Sequence, residues 1–387
     1  MALPPSRFVH LRAAGVSLVL DLATEAAEVL HWGADLGALD QDGLESLALS
    51  GTAARLHNAP DVPRRFGLVA GEHADWAGVP TLSGHRAGRD STPRLRLRDA
   101  VVAPAESAAD AVAGRGGSVD LVFADGARAL ELRMRVALTP EGLVEIDQRL
   151  ISTAPAGLAA PYDLGGLVAQ LPVPSRAVEL LDFTGKWARE RQPQRSTLVD
   201  GLHTREIRRG KPGADSPYLL TLGTPGFGSR HGELWSMHVA WSGDQRWFAA
   251  RLPEGAGVFS AVLGGGELVR PGEIRLTAGE SYTAPRVVFA YSATGLDGIA
   301  DRFHDSLRAS RRRRGPQPLV LNTWEAVYFD HELPRLVELV DRAARVGVER
   351  IVLDDGWFRG RRGDAAGLGD WQIDETVWPD GLDPFVD

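Results

Sequence analysis

Pro318-Leu319-Val320-Leu321-Asn322-Thr323-Trp324-Glu325-Ala326 is an apolar run that breaks into polar and aromatic residues, and Ile351-Val352-Leu353-Asp354-Asp355-Gly356-Trp357 repeats the pattern. Each reads as a buried strand leading into a functional loop. Between them Leu333, Leu336, Val337, Val340, Ala343, Ala344 and Val346 recur at three- and four-residue steps and share one helical face. Strand, helix, strand is a βαβ unit. In parallel α/β proteins the carboxyl ends of the strands form the working face, which would bring Trp324 together with Asp354 and Asp355.

The rest of the chain reads differently. From Phe8 to about Tyr291 the sequence is a series of short strands. Val16 to Leu22 alternates, and Arg94-Leu95-Arg96-Leu97-Arg98 alternates as a strand with one solvated face would. Ser118 to Phe123, Ala129 to Leu138 and Leu143 to Ile151 form a meander, with Asp125-Gly126 and Thr139-Pro140-Glu141-Gly142 supplying the turns. Ala105 to Gly117 is expected to be a loop. Many short strands without a long helical period predict a large antiparallel sandwich. Leu296 to Arg308 then reads as a helix with Ile299, Phe303 and Leu307 on one face. The basic run Arg311 to Arg314 before Gly315-Pro316 reads as a solvated linker.

The expected class is therefore multidomain and mainly β: a sandwich domain over residues 1–295, a helical linker over 296–314, and the start of a parallel α/β domain over 315–387. Two parallel strands and one helix cannot cover both faces of a parallel sheet, so the chain is expected to be a fragment or to borrow structure from another chain.

At 387 residues and a formal charge of −8, from 43 basic and 51 acidic residues, the protein lacks the concentrated positive charge of a nucleic-acid binder. Without cysteine it has no disulfide, zinc–thiolate site or thiol nucleophile. His231 and His238 have no metal-ligand spacing, and Gly264-Gly265-Gly266 lacks the strand-to-helix setting of a phosphate loop. No metal or cofactor is expected. No stretch approaches the roughly 20 apolar residues of a membrane span, and Met1 to Leu22 does not read as an export signal, so the expected location is cytoplasmic.

Three motifs together resemble the bacterial α-galactosidases of glycoside hydrolase family 36. They are Gly185-Lys186-Trp187-Ala188-Arg189-Glu190-Arg191 with Arg208-Arg209-Gly210, then Leu321 to Phe329, then Leu353 to Phe358 with Leu368-Gly369-Asp370-Trp371. Weaker support comes from His231-Gly232-Glu233 and Trp241-Ser242-Gly243. The resemblance implies an N-terminal β-supersandwich followed by a (β/α)8 TIM barrel, here incomplete and represented by its first βαβ unit. It implies retaining hydrolysis of terminal α-linked galactose from sugars such as melibiose or raffinose. In that family the two catalytic aspartates come from later barrel strands, so neither is expected within these residues, and the isolated chain is expected to be inactive.

Read without the resemblance, Asp354 and Asp355 are either a catalytic couple or a loop that caps the following segment. With it, they resemble aspartates that accept hydrogen bonds from galactose hydroxyls. Trp324 and Trp187 resemble the aromatic members of the sugar site. Trp187 lies in the sandwich and would have to reach the barrel mouth of its own chain or of a neighbouring subunit. Trp357 and Trp371 read as structural. The expected partner is an α-galactoside, with a homo-oligomer implied by the family. A carbohydrate-binding module without catalysis and an α-N-acetylgalactosaminidase are the competing expectations.

Overall fold

The computed structural model describes residues 6–54, 57–58, 65–74, 76–104, 116–157, 160–216, 218–256, 259–310, 315–369 and 371–387. Of the loop expected at 105–117, residues 105–115 lie outside the described residues, as do the basic run 311–314 and Asp370, and Gly117 already opens the strand Gly117–Asp125. The chain forms two compact units, Met1–Ala309 and Ser310–Asp387.

Among the described residues, the first unit is built on a nine-stranded sheet. Its spatial order is Arg189–Thr197, Glu179–Lys186, Leu220–Gly223, Leu234–Val239, Ser281–Ser292, Leu143–Ser152, Leu130–Leu138, Gly117–Asp125, Arg96–Pro104. Every neighbouring pair is antiparallel. The expected meander is present, and Leu130–Leu138 turns alternate residues into the core while the others face outward. The edge strand Arg189–Thr197 is exposed at every residue.

A four-stranded sheet ordered Ala169–Pro174, Phe259–Glu267, Gln245–Ala256, Gly201–Ile207 shares the same core. The glycine triplet shows how closely the two sheets approach. Gly265 lies in Phe259–Glu267, where a Cβ would come within 2.9 Å of Met237 Cε and 3.0 Å of Val239 Cγ2 from the larger sheet. The triplet is thus a packing feature. Buried Trp32, Trp235 and Trp247 fill the core, and each indole N–H has an acceptor: Pro172 O, Trp32 O at 3.3 Å and Gln245 Oε1 at 2.7 Å. Truncating such a ring costs roughly 3–5 kcal/mol.

Two local features go beyond the sequence reading. Val16–Asp21, read only as alternating, is buried at all six residues. Its polar members are buried because they are paired: Arg7 Nη2 donates to Asp21 Oδ2 at 2.8 Å, and Ser17 Oγ donates to Asp35 Oδ1 at 2.9 Å. Secondly, Gln41–Ser50 is a helix within the region read as strands. Asp40 caps it by accepting from Gly43 N at 2.9 Å, and Leu44 and Ala48 are buried.

The helix Leu296–Ser310 packs on the first unit. Ile299 is fully buried, Leu296 and Phe303 are partly covered, and Leu307 is 55% exposed, so the predicted apolar face is covered only in its first half. Arg302 fastens it through three carbonyls: Nε donates to Tyr291 O at 2.7 Å, Nη1 to Glu141 O at 2.7 Å and Nη2 to Ala14 O at 2.9 Å. No shorter side chain can reach all three. Replacing Arg302 with Ala is expected to lower the first unit's unfolding free energy by about 2–4 kcal/mol, from three charge-assisted bonds, with Lys recovering only part. Denaturant titration followed by tryptophan fluorescence measures this.

The second unit has the predicted strand–helix–strand order, but its two strands, expected to be buried, are each exposed at their first and last residues. Val320–Asn322 and Arg350–Val352 pair in parallel, with Val320 opposite Arg350, Leu321 opposite Ile351 and Asn322 opposite Val352. Leu333–Arg345 is the helix between them. Leu336 and Ala343 are buried and Leu333 and Val340 half-buried, but Val337 is 42% and Val346 75% exposed. The covered stripe is narrower than the sequence pattern because Val346 lies past the helix end and Val337 is turned off the 333–336–340–343 line. Val327, Leu336 and Trp378 form a small core with Leu333, Leu353, Trp357, Val377, Leu382 and Phe385 around it.

Candidate functional site

Both strands of the second unit stop within one residue of the end of their apolar runs, and the residues that follow are stitched together by polar groups. Thr323 is fully buried; its N–H donates to Val352 O at 3.0 Å, and its Oγ1 accepts from Asp354 N at 3.1 Å. The first strand is thereby fixed to the second one residue beyond their ladder. Asp354 and Asp355 lie past the end of Arg350–Val352, so the alternation that would send consecutive residues to opposite faces no longer applies.

Each carboxylate is held by a different donor. Asp354 Oδ2 accepts from Asn322 Nδ2 at 2.6 Å and its Oδ1 accepts from Asp355 N at 2.7 Å. Asp355 Oδ2 accepts twice from Arg361, from Nε at 3.0 Å and Nη2 at 2.8 Å. Among the described residues, Asp355 Oδ1 takes no hydrogen bond. Arg361 is buried, its side chain 7% exposed, whereas Asp355 keeps 24% of its side chain open. The guanidinium also donates through Nη1 to Gly363 O at 3.0 Å and Ala366 O at 3.1 Å, and stands 5.3 Å from the centre of the Phe329 ring. It therefore orders the loop after the aspartates as well as one of them.

Trp324 opens a short helical turn, Trp324–Val327, beyond the strand end. Its ring meets Tyr328 and Phe329 edge-on, with centroids 5.2 and 5.0 Å away. Tyr328 closes the turn at φ +49°, a left-handed conformation costly for a residue with a bulky side chain. Its hydroxyl donates to Glu325 Oε2 at 3.1 Å, which raises the phenol's pKa. Glu325 is thus engaged with Tyr328.

Behind the aspartates, Gly356 has φ +112°, and a Cβ there would lie 3.0 Å from His331 Nε2. Burial and the charge of Arg362 lower the His331 pKa, favouring the neutral imidazole. Trp357 stacks on Trp371 at 6.3 Å with Phe358 fully buried beside both, while Trp371 is itself 64% exposed. Asp374, lowered in pKa by the Thr376 hydroxyl, accepts from Arg362 and Gly360 and closes the loop.

Trp187 belongs to the first unit. It lies at the tip of the hairpin formed by Glu179–Lys186 and Arg189–Thr197 and is 90% exposed. The tip is shaped by Ala188 at φ +62°, whose N–H donates to Glu190 Oε1 at 3.0 Å. At the hairpin, Arg191 stands 4.4 Å over the Tyr218 ring. His231 and His238 are engaged with backbone carbonyls, of Gly226 at 2.9 Å and Tyr218 at 2.8 Å. No group of three or more candidate metal ligands occurs among the described residues.

The structure thus brings Asp354, Asp355 and the Trp324 turn together at adjacent strand ends. Sequence reading missed Asn322 and Arg361. Asn322 lay inside the quoted motif and carried a signal, as a polar residue closing an apolar strand; Arg361 was one of several arginines in a glycine-rich loop and carried none.

Removing the Arg361 guanidinium leaves Asp355 without its partner and two loop carbonyls without donors. Arg361→Met is expected to destabilise the second unit by roughly 2–3 kcal/mol. Thermal unfolding resolved by Trp357, Trp371 and Trp378 emission tests this; an unchanged transition would exclude the assigned role.

The family model described as the glycosyl hydrolase family 36 N-terminal domain matches residues 25–277, and the melibiase model matches residues 281–387. An α-galactosidase of Escherichia coli is 32% identical over 363 residues, covering 93% of this chain and 48% of its own length. The chain thus spans about half of that curated relative. The crystal structure of the family 36 α-galactosidase AgaA from Geobacillus stearothermophilus superposes with a TM-score of 0.79 at 23% identity, covering 97% of this chain and 54% of that one. A variant of AgaA solved in complex with raffinose gives 0.78 at 23% identity, with the same coverage. At that identity the likeness speaks for the fold.

Proposed function

The chain belongs to glycosyl hydrolase family 36, and on that premise we propose that it supplies the galactose-binding part of a retaining α-galactosidase. In this reading the first unit is the family's β-supersandwich, and the second is the opening βαβ unit of a (β/α)8 barrel. The substrate is a terminal α-D-galactosyl residue on a galacto-oligosaccharide of the melibiose or raffinose kind. The raffinose complex of AgaA supports that class.

The observation that carries the proposal is the pair of anchored carboxylates at the strand ends. Asp354 and Asp355 each accept two hydrogen bonds and keep acceptor capacity beyond them. A carboxylate offers about four acceptor sites in all. Such a pair suits a ligand that presents several O–H donors on one edge. A site built to receive the axial hydroxyl of galactose rejects an epimer that leaves its acceptors unpaired. Trp324 would offer an indole face to the C–H face of the sugar.

Retaining hydrolysis needs two carboxyl groups about 5–5.5 Å apart across the scissile bond. One attacks the anomeric carbon while the other protonates the leaving oxygen; the second then deprotonates the water that releases the sugar. Asp354 and Asp355 are consecutive residues, already engaged from the protein side, and are assigned to holding the sugar. The cleaving pair is assigned to other barrel strands, so the 387-residue chain alone is expected to show no turnover. No metal enters this scheme, and a cytoplasmic homo-oligomer is the proposed setting.

Asp355→Asn in the full-length enzyme tests the reading. It replaces an anionic acceptor with a neutral amide and is expected to lower kcat/KM on p-nitrophenyl α-galactoside by about ten-fold or more. Unchanged kinetics would remove Asp355 from the sugar site. Measured turnover by the 387-residue chain would overturn the assignment of the cleaving pair.

A further inference from the structure

Asn322 is the last residue of its strand and stands opposite Val352, two residues before Asp354. Its carboxamide is used at both ends. Nδ2 donates to Asp354 Oδ2 at 2.6 Å, and Oδ1 accepts the Trp324 N–H at 2.8 Å. The second bond fills a vacant post: Trp324 begins the turn Trp324–Val327, whose first N–H groups have no intrahelical partner, and Thr323 at the cap position makes no side-chain capping bond. Thr323 Oγ1 is instead committed to the Asp354 N–H.

The chemistry at this position is restrictive. Reversing the amide would set its oxygen against the Asp354 carboxylate and its NH2 against the Trp324 N–H, so one orientation alone is bonded. Aspartate would accept from Trp324 but has no donor for Asp354. Serine carries donor and acceptor on a single atom and is too short to span the two partners. A carboxamide of this length is what joins a strand-end carboxylate to a helix-turn N–H.

We propose that Asn322 is a positioning residue for the sugar site, locking the Asp354 carboxylate in place and coupling it to the turn that carries Trp324. The inference rests on the α-galactosidase reading. Asn322 occupies one acceptor site on Asp354 Oδ2 and Asp355 N one on Oδ1, so the carboxylate turns its remaining capacity toward a ligand in a fixed direction. Asp354 and Trp324 then act as one rigid element, and disturbing the carboxamide disturbs both.

Asn322→Asp separates this role from packing, because it keeps the shape and the bond from Trp324 N–H but removes the donor to Asp354. Two carboxylates would then face each other, and below neutral pH such a pair takes up one shared proton, which can restore an O–H···O bond in place of the lost N–H···O bond. In the full-length enzyme the variant is expected to lose about ten-fold or more in kcat/KM on p-nitrophenyl α-galactoside at neutral pH. Part of this loss should be recovered as pH falls and the shared proton is taken up, so its pH optimum moves to the acid side of the wild type's. Asn322→Ala should show the loss without the recovery. A pH profile identical to wild type in Asn322→Asp overturns the proposal.

A second measurement needs no turnover. The sequence has asparagine only at positions 58 and 322, so selective ¹⁵N-asparagine labelling of the 387-residue chain yields two side-chain amides. The Asn322 amide should carry one downfield-shifted proton that moves upfield in Asp354→Ala, while the Asn58 amide stays fixed. No change at Asn322 overturns the proposal even if the Asn322 variants fail to fold. A wild-type full-length enzyme without activity on α-galactosides would instead overturn the functional reading, while the amide measurement still decides whether the bond to Asp354 exists.

Discussion

Three residues of ladder hold two parallel strands together in the second unit, and the candidate site depends on that short register. Asn322 opposite Val352 sets Asp354 within reach of both Asn322 and Thr323. A shift by one residue would carry the aspartates away from these partners and turn the strand side chains to the other face. The polar bonds past the strand ends therefore do two jobs. They satisfy backbone groups that the ladder no longer pairs, and they hold carboxylates in a chosen direction.

The first unit solves a different problem. A nine-stranded and a four-stranded sheet must approach closely enough to exclude water, and large indoles leave little room. Glycine at 265 and donors satisfied on Trp32, Trp235 and Trp247 meet that requirement. The same logic explains a strand such as Val16–Asp21 that is buried throughout although polar at two positions. Asp21 and Ser17 enter the interior with their partners, so burial does not leave a charge or hydroxyl unpaired.

These cases mark what sequence could reveal. The meander was legible because turn residues punctuated alternating runs, and the strand–helix–strand unit because its periodicities change at polar breaks. Asp354, Asp355 and Trp324 were legible as polar and aromatic residues at the ends of apolar runs. The Gln41–Ser50 helix was not, since its apolar residues are few and its main signal is the single cap Asp40. Arg361 was illegible because its significance comes from the path of the loop, which folds a buried guanidinium back onto Asp355. The dual use of Asn322 required knowing that the turn begins at Trp324. Composition and spacing identify where a strand ends, whereas partnership among the residues beyond it is a matter of three-dimensional path.

The exposed hairpin strand Arg189–Thr197 bears on solubility. It is an outer margin of the nine-stranded sheet, where unpaired backbone groups could recruit a strand from another molecule. Its sequence, Arg-Glu-Arg-Gln-Pro-Gln-Arg-Ser-Thr, places charge along that margin and a proline, with no N–H to donate, at its centre. A sheet this wide would otherwise be a template for fibrous growth. The hairpin that displays Trp187 thus also resists uncontrolled extension of the sheet, and substitutions that make this strand apolar would be felt as aggregation before they were felt as loss of fold.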